Sequence, residues 1–242
     1  MKPGAELQLL SWDSDWLGFP VARLTVGAEG AANAVATAVA QCRAGGIRLL
    51  YLLVNPGDTL ASTAAQATGA WLVDVRLTYR LALAGATSLA PLPPGIALAT
   101  AKKFTSSLEE LAWQSGEYSR FRRDARIGDV AFRTLYTRWL HHVLADGLVW
   151  VAATDSEKTA GMLAFEAHDH ETASVALLAV TPTARRRHIG HYLVQMARQE
   201  ARHRGCTELC VVTQGANQSA RQFYERCGFK LLRTEHYYHL WL

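Results

Sequence analysis

The chain is poor in cysteine, has no long apolar run and carries little excess charge, and each shortage closes off a class of protein. Its four cysteines, Cys42, Cys206, Cys210 and Cys227, are too few and too scattered over 242 residues for a disulfide framework, so reduced and mostly buried thiols are expected. No stretch reaches the roughly 18 apolar residues of a membrane-spanning helix, and no membrane association is expected. The opening MKPGAELQLL sets Glu6 and Gln8 where a secretory signal needs a continuous apolar run, which makes the cytoplasm the expected compartment. A formal net charge of +4 suits an anionic ligand but is too mild to call for nucleic acid as a partner. There is no internal repeat, and no low-complexity tract beyond a bias to alanine.

What is present is a globular composition, 50% hydrophobic and 19% charged, with length enough for two domains. The first part alternates short strands (6–10, 21–26, 47–54, 71–83) with alanine-rich helices (31–44, 59–67) that stop at Gly45, Gly46 and Gly69. The segment 85–95, GATSLAPLPPG, gathers small residues and three prolines and is the expected linker between a domain of residues 1–90 and one of residues 91–242. The second part reads as strands at 96–101, 148–153, 159–167, 174–180, 208–213 and 230–241. Helices are expected within 105–114, over 129–144 and 217–227, and after the basic turn at 185–187.

The most informative stretch is ASVALLAVTPTARRRHIGHYLVQM, residues 173–196. An unbroken aliphatic strand ends at Pro182, and Ile189, Tyr192, Leu193, Met196 and Ala197 then recur at helical spacing. The turn between them opens a helix, where free backbone N–H groups and the positive end of the helix dipole favour an anion such as a pyrophosphate. Arg185, Arg186 and Arg187 add charge on the same approach. A solvated basic turn accounts for the arginines equally well.

With this turn, the strand order and the last helix, residues 96–242 resemble the GNAT superfamily of acetyl-CoA-dependent N-acetyltransferases. The superfamily's nucleotide-binding pattern, R/Q-x-x-G-x-G/A, falls on Arg185, Arg186, Arg187, His188, Ile189 and Gly190, with His188 standing where the first glycine belongs. A second pattern, N-x-x-A-x-x-x-Y-x-x-x-G-F, falls on Asn217, Ala220, Tyr224, Gly228 and Phe229. Two further stretches, residues 12–24 (WDSDWLGFPVARL) and 119–127 (SRFRRDARI), resemble GNAT enzymes of bacterial surface-polysaccharide synthesis that acetylate the 4-amino group of a nucleotide-linked deoxysugar. The fold so implied is α/β (α+β), a mixed, largely antiparallel sheet flanked by helices, with a smaller α/β domain before it.

The resemblance also implies site residues. A bulge within Leu177–Val180 would turn the backbone of Leu178, Ala179 and Val180 toward the pantetheine arm of acetyl-CoA and the thioester carbonyl, and strand 208–213 would splay away to admit it. Arg185 through His191, including Ile189 and Gly190, would hold the pyrophosphate, and Asn217 would contact the pantetheine. Asn217 is also a good helix N-cap whatever the function. Tyr224 is the candidate general acid for the departing thiolate; Ala220, Phe223, Tyr224 and Cys227 equally fit one core-facing helical stripe.

No acid stands on strand 174–180, so a water chain is the simpler expectation for the base. Glu166, His168 and His170 are candidate proton acceptors, or merely a polar hairpin tip. The arginine-rich loop 119–127 makes Arg120, Phe121 and Arg122 candidate contacts to an anionic acceptor, or a solvated basic loop anchored by Phe121. His168 and His170 lack a third ligand, and no metal is assigned. The expected acceptor is a small-molecule amine on a nucleotide-linked sugar, with a homodimer among the assemblies allowed. The alternatives are transfer to an aminoglycoside, a polyamine or a protein N-terminus, and a non-catalytic module binding CoA or nucleic acid.

Overall fold

The run LLYLLV at Leu49–Val54 has no polar alternation, the pattern of a strand covered on both faces, and all six residues are buried. The computed structural model, which describes residues 6–84, 92, 94–168 and 171–242, puts this strand inside one large sheet. In chain order the elements are β1 (Glu6–Leu9), α1 (Ser11–Leu17), β2 (Val21–Val26), α2 (Ala31–Ala44), β3 (Leu49–Val54), α3 (Thr59–Ala67) and β4 (Trp71–Ala82). There follow β5 (Ile96–Ala101), α4 (Ser106–Ser115), α5 (Arg120–Arg123), α6 (Gly128–Asp146), β6 (Leu148–Thr154) and β7 (Gly161–Ala167). The chain continues through β8 (Thr172–Val180), α7 (Ile189–His203), β9 (Glu208–Gln214), α8 (Gln218–Arg226) and β10 (Lys230–Trp241). No helix among the described residues is long and apolar enough to cross a membrane.

The strands form one ten-stranded sheet in the order β1-β2-β3-β10-β4-β9-β8-β7-β6-β5. It is mixed and largely antiparallel, as expected, with parallel pairs only at β2–β3 and β8–β9. The two parts distinguished at residue 90 share this sheet: β10, from the second, lies between β3 and β4, from the first. Of the expected linker, residues 85–91 and 93 lie outside the described residues.

Side chains that alternate along each strand divide the core in two. On one face Met162, Ala164, Leu177 and Tyr237 pack against α1, α4, α5 and α6. On the other, Leu163 and Phe165 pack against α7 and α8, and Leu50, Leu52 and Tyr238 against α2 and α3. Helix starts are set locally by side-chain caps: Asp58, Thr105 and Asn217 accept from the backbone N–H of Ala61, Leu108 and Ala220 at 2.8, 3.3 and 3.0 Å.

Two short helices were not anticipated. In α1 the Ser14 hydroxyl donates to the Leu10 carbonyl (2.7 Å) and accepts from Val21 N–H (2.9 Å), and Gly18, at φ 75°, ends the turn. The expected basic loop contains α5, capped by Ser119 and anchored by buried Phe121. The segment after α5 is tied to the sheet by Asp124. Its Oδ2 accepts from His239 Nδ1 (2.7 Å) and Trp241 Nε1 (2.9 Å), and its Oδ1 accepts from Arg126 N–H (3.0 Å). Burial alone would raise the Asp124 carboxyl, but these hydrogen bonds outweigh it and hold the group below the usual carboxylate range. Burial lowers His239 despite that carboxylate, so the imidazole is neutral and the contact is a hydrogen bond rather than an ion pair.

Candidate active site

β8 and β9 pair only from Thr172↔Glu208 to Val175↔Val211. Beyond that point β8 keeps β7 on one side, and the other flank of Leu177–Val180 has no strand partner among the described residues. The register shift expected within Leu177–Val180 lies one residue earlier: Ala164 faces Leu177 and Phe165 faces Val175, so Ala176 is the extra residue. Placing the bulge where the β9 ladder ends turns β8 away from its neighbour and opens a fork. A cavity of about 750 Å³ fills it, with Ala176, Leu177 and Leu178 on one wall and Val211, Val212 and Thr213 on the other. The Ala179 side chain is buried in the α4–α6 face.

Past Val180, one turn of 3₁₀ helix (Pro182–Ala184) leads to the arginines and α7. The first backbone bond of α7 runs from Tyr192 N–H to the His188 carbonyl (3.0 Å), so the N–H groups of Ile189, Gly190 and His191 precede the helical ladder and face the turn. Arg185, Arg186, Arg187 and His188 are exposed around them. Arg185 Nε donates to the Val180 carbonyl (3.3 Å), which also accepts from Gln114 Nε2 (2.8 Å), and this fixes the strand-to-turn junction. His191 is drawn to the other side, with Nδ1 3.5 Å from Cys227 Sγ and Nε2 2.9 Å from the Gln195 amide.

His188 explains its departure from the glycine pattern. It sits at φ 61° in the left-handed region, as does Arg186, and histidine is among the side chains that tolerate it. His188→Val is therefore expected to lose roughly 1–2 kcal/mol in a denaturant titration, while His188→Gly stays within about 1 kcal/mol of the parent. Equal stability of the two variants would contradict a backbone requirement here. Gly190 is constrained differently, since a Cβ there would meet the Phe223 ring at 3.3 Å, so the glycine lets α7 approach α8 closely.

Tyr224, on α8, is both packed in the core and part of the cavity wall. Its ring packs with Phe223, Phe229 and Tyr79 at centroid distances of 5.2, 5.6 and 6.5 Å, and the residue also lines the cavity. Burial, with Cys227 nearby, pushes its phenol well above the ordinary value, so it is protonated at neutral pH. Asn217, the α8 cap, lines the same cavity.

The fork connects the two faces of the sheet, and its far end is walled by α1, β4, α5 and α6. Arg120 and Phe121 line it. Arg122 does not: it is exposed, bonded to Asp129 and 3.7 Å from Glu117, so its place as an acceptor contact is corrected. Arg120 is largely buried, with a guanidinium nitrogen 3.8 Å from Asp13 Oδ2 and its guanidinium carbon 4.0 Å from the centre of the Phe121 ring. Glu166 and His168 also line the cavity, which the polar hairpin tip alone does not explain. Glu166 lies 3.7 Å from His142 Nε2, and His168 Nε2 is 2.8 Å from Ser174 Oγ. His170 lies outside the described residues.

Sequence reasoning missed Asp13, Asp74, Arg23, His142 and Trp139, all on the cavity wall. For Asp13 and Arg23 the signal was present, since both fall within residues 12–24. Asp74 alternates with the apolar residues of β4 and reads as solvent-facing, but α5 and α6 cover that side.

Comparison with known proteins fits this geometry. The model of the acetyltransferase (GNAT) family matches residues 106–229, just over half of the chain. No curated protein matches. Among solved structures, a GCN5-related N-acetyltransferase from Sphaerobacter thermophilus is similar with a TM-score of 0.65 at 15% identity, over 98% of this chain and 76% of that one. The tandem GNAT protein of the clavulanic acid biosynthesis pathway, solved without AcCoA, gives 0.59 at 20% identity, over 93% of this chain and 76% of that one. A functionally unknown protein from Staphylococcus epidermidis gives 0.65 at 12% identity, over 94% and 87%. At these identities the likeness is one of fold, and it extends through both parts of the chain. By its match to the family model, the chain belongs to the GNAT family of acetyltransferases.

Proposed function

We propose that the protein transfers the acetyl group of acetyl-CoA directly to the amine of a nucleotide-linked amino sugar. The observation that carries this reading is that one cavity joins the β8–β9 fork, Tyr224 and the two stretches resembling TDP-fucosamine acetyltransferase. Residues 12–24 supply Trp12, Asp13 and Arg23, and residues 119–127 supply Ser119, Arg120 and Phe121. Acetyl-CoA supplies the activated acetyl group, and its use fits a cytoplasmic enzyme. The α7 turn, with its free N–H groups and Arg185 to Arg187, fits the pyrophosphate. The unpaired flank of Leu177–Val180 offers hydrogen bonds to the pantetheine and to the carbonyl oxygen as it gains charge. Tyr224 donates a proton to the departing sulfur. The same desolvation that raises its phenol also disfavours a bare thiolate in the cavity, so the proton has a destination.

A thiol-release assay with acetyl-CoA against nucleotide-linked amino sugars, aminoglycosides and peptides tests the assignment. Preference for a nucleotide-linked sugar is expected. Arg23→Ala should then raise the acceptor KM by about tenfold or more, a lost charged hydrogen bond, while exposed Arg122→Ala leaves it unchanged. Preference for an aminoglycoside or polyamine would overturn the sugar assignment and keep acetyl transfer. That second reading is favoured by one observation, the pair of carboxyls from Asp13 and Asp74 on the cavity wall. Absence of acetyl-CoA binding at millimolar concentration would remove acetyl transfer altogether.

A further inference from the structure

The acceptor end of the cavity holds a buried carboxyl with no hydrogen-bond partner, among the described residues, for one of its oxygens. Asp74 is 3% exposed, lines the cavity, and its Oδ1 has no hydrogen-bond partner among the described residues. Asp13 Oδ2 is likewise buried without one. Between them stands Arg120, 3.8 Å from Asp13 Oδ2 and held over the rings of Tyr51 and Tyr237 with its guanidinium carbon 5.0 and 4.7 Å from their centres. The other cations that face Asp74 are engaged elsewhere or exposed: Arg76, on β4, lies 3.5 Å from Glu235, and Arg123 is at the surface of α5. The cluster also meets the phenols of Tyr136 from α6 and Tyr237 from β10, His239 of β10 on the Arg120 side, and, around Asp13, the Tyr51 phenol of β3 and Arg23 of β2. Asp13 thus has Arg120 and, from β2, Arg23 beside it, whereas Asp74 Oδ1 is buried without a partner among the described residues, and buried charges are stable when paired. The partner that would suit Asp74 is a positively charged group with N–H donors, presented from the cavity.

We propose that Asp74 receives the acceptor's amino group, anchoring it as an ammonium beside Arg120 and Asp13 and taking one of its protons. This rests on the acetyl-transfer reading and names the group that prepares the nucleophile. An N–H bond of the ammonium breaks as an O–H bond forms on Asp74. The freed nitrogen pair bonds to the acetyl carbonyl carbon, the C–S bond breaks, and sulfur leaves with its electron pair and takes the Tyr224 proton. The surplus proton on the new amide nitrogen returns to the Tyr224 oxygen, and Asp74 releases its own to solvent. Arg120 and Asp13 position Asp74. Burial, opposed by Arg120, Arg123 and Arg76, raises the Asp74 carboxyl to about 6, close to what a proton acceptor at neutral pH requires.

The test follows thiol release from acetyl-CoA between pH 5 and 9, using an amine that the wild type accepts, for wild type, Asp74→Asn and Asp74→Glu. Acetyl-CoA affinity and thermal melts are measured alongside. Asp74→Asn is expected to lower kcat/KM for the amine about 100-fold or more at neutral pH, with acetyl-CoA affinity kept and melting temperature unchanged or raised. The acidic limb of the wild-type profile, near pH 6, should move in that variant to the amine's own pKa, and Asp74→Glu should restore part of the rate. An Asn variant with wild-type rate and profile overturns the assignment. So does a loss of rate that comes with loss of acetyl-CoA affinity. Should Asp74→Asn fail to fold, the wild-type profile decides, and a profile flat from pH 5 to 7 overturns it. A wild type that releases no thiol with any amine overturns acetyl transfer itself, and this role with it.

Discussion

Tyr224→Phe is expected to fold, to bind acetyl-CoA as tightly as the parent, and to turn over about 100-fold more slowly or worse, the usual contribution of a positioned general acid. The change deletes one oxygen and leaves the ring, whose packing against Phe223, Phe229 and Tyr79 makes Tyr224 part of the core. A purely structural tyrosine would therefore barely notice the substitution. Because burial holds the phenol above its ordinary value, the hydroxyl is protonated across the neutral range, and the deficit should be the same at pH 6 and pH 8. Single-turnover rates at the two pH values, with melting curves for both proteins, check it. A variant keeping most of the parent rate would return Tyr224 to the core and leave thiolate protonation to water.

The largest expected loss of stability is from Asp124→Ala, about 3 kcal/mol, because the change strands two buried donors, His239 Nδ1 and Trp241 Nε1, at once. The loss should reach the acceptor end, since α5, which carries Arg120, runs directly into Asp124. Acceptor KM is expected to rise while acetyl-CoA affinity holds. The pH dependence separates the partners. Asp124 is lowered, so its stabilisation is complete above the unfolded carboxylate pKa near 4 and fades only as pH falls through the depressed value. His239 is also lowered, so the unfolded chain binds the extra proton and the wild type should weaken as pH falls below about 6.5. Urea titrations at pH 7.5 and 5.5 follow the His239 part, and a third at about pH 3 follows the Asp124 part. A loss under 1 kcal/mol would show that the segment after α5 is held by Phe121 and Ile127 packing instead.

Long periodic elements were legible from the sequence because their signals are local. The bounds of β2, α2, α3, β5 and β10 come out as expected. What was not legible depends on partners distant in sequence. α1 has polar residues at helical and non-helical positions alike, and it exists because Ser14 bonds to both ends of its turn and Trp16 meets Phe121 edge-on at 5.3 Å. Arg120 and Arg122 are indistinguishable as letters, yet two residues of helix turn one into the cavity and the other to Asp129. Asp74 is hidden from a single-strand pattern because only the helices opposite decide which face is wet. The strand-to-helix turn was legible in place, but the close approach of Phe223 to Gly190 was not.

The position of β10 bears on how the chain acquires its structure. Strand β10 is synthesised after every other strand of the sheet, yet it fills the gap between β3 and β4, whose edges stay open until it arrives. Residues 6–84 consequently have no complete sheet of their own. They must wait on the ribosome with two exposed, apolar strand edges, the kind of surface that recruits other chains. The pairing of Leu49 with Trp241 spans about four-fifths of the chain, so closing the sheet is a late, slow and non-local event. A cell that makes this protein commits it to acting as one body, because the half bearing Asp13 and Asp74 and the half bearing Tyr224 reach their final form in the same step.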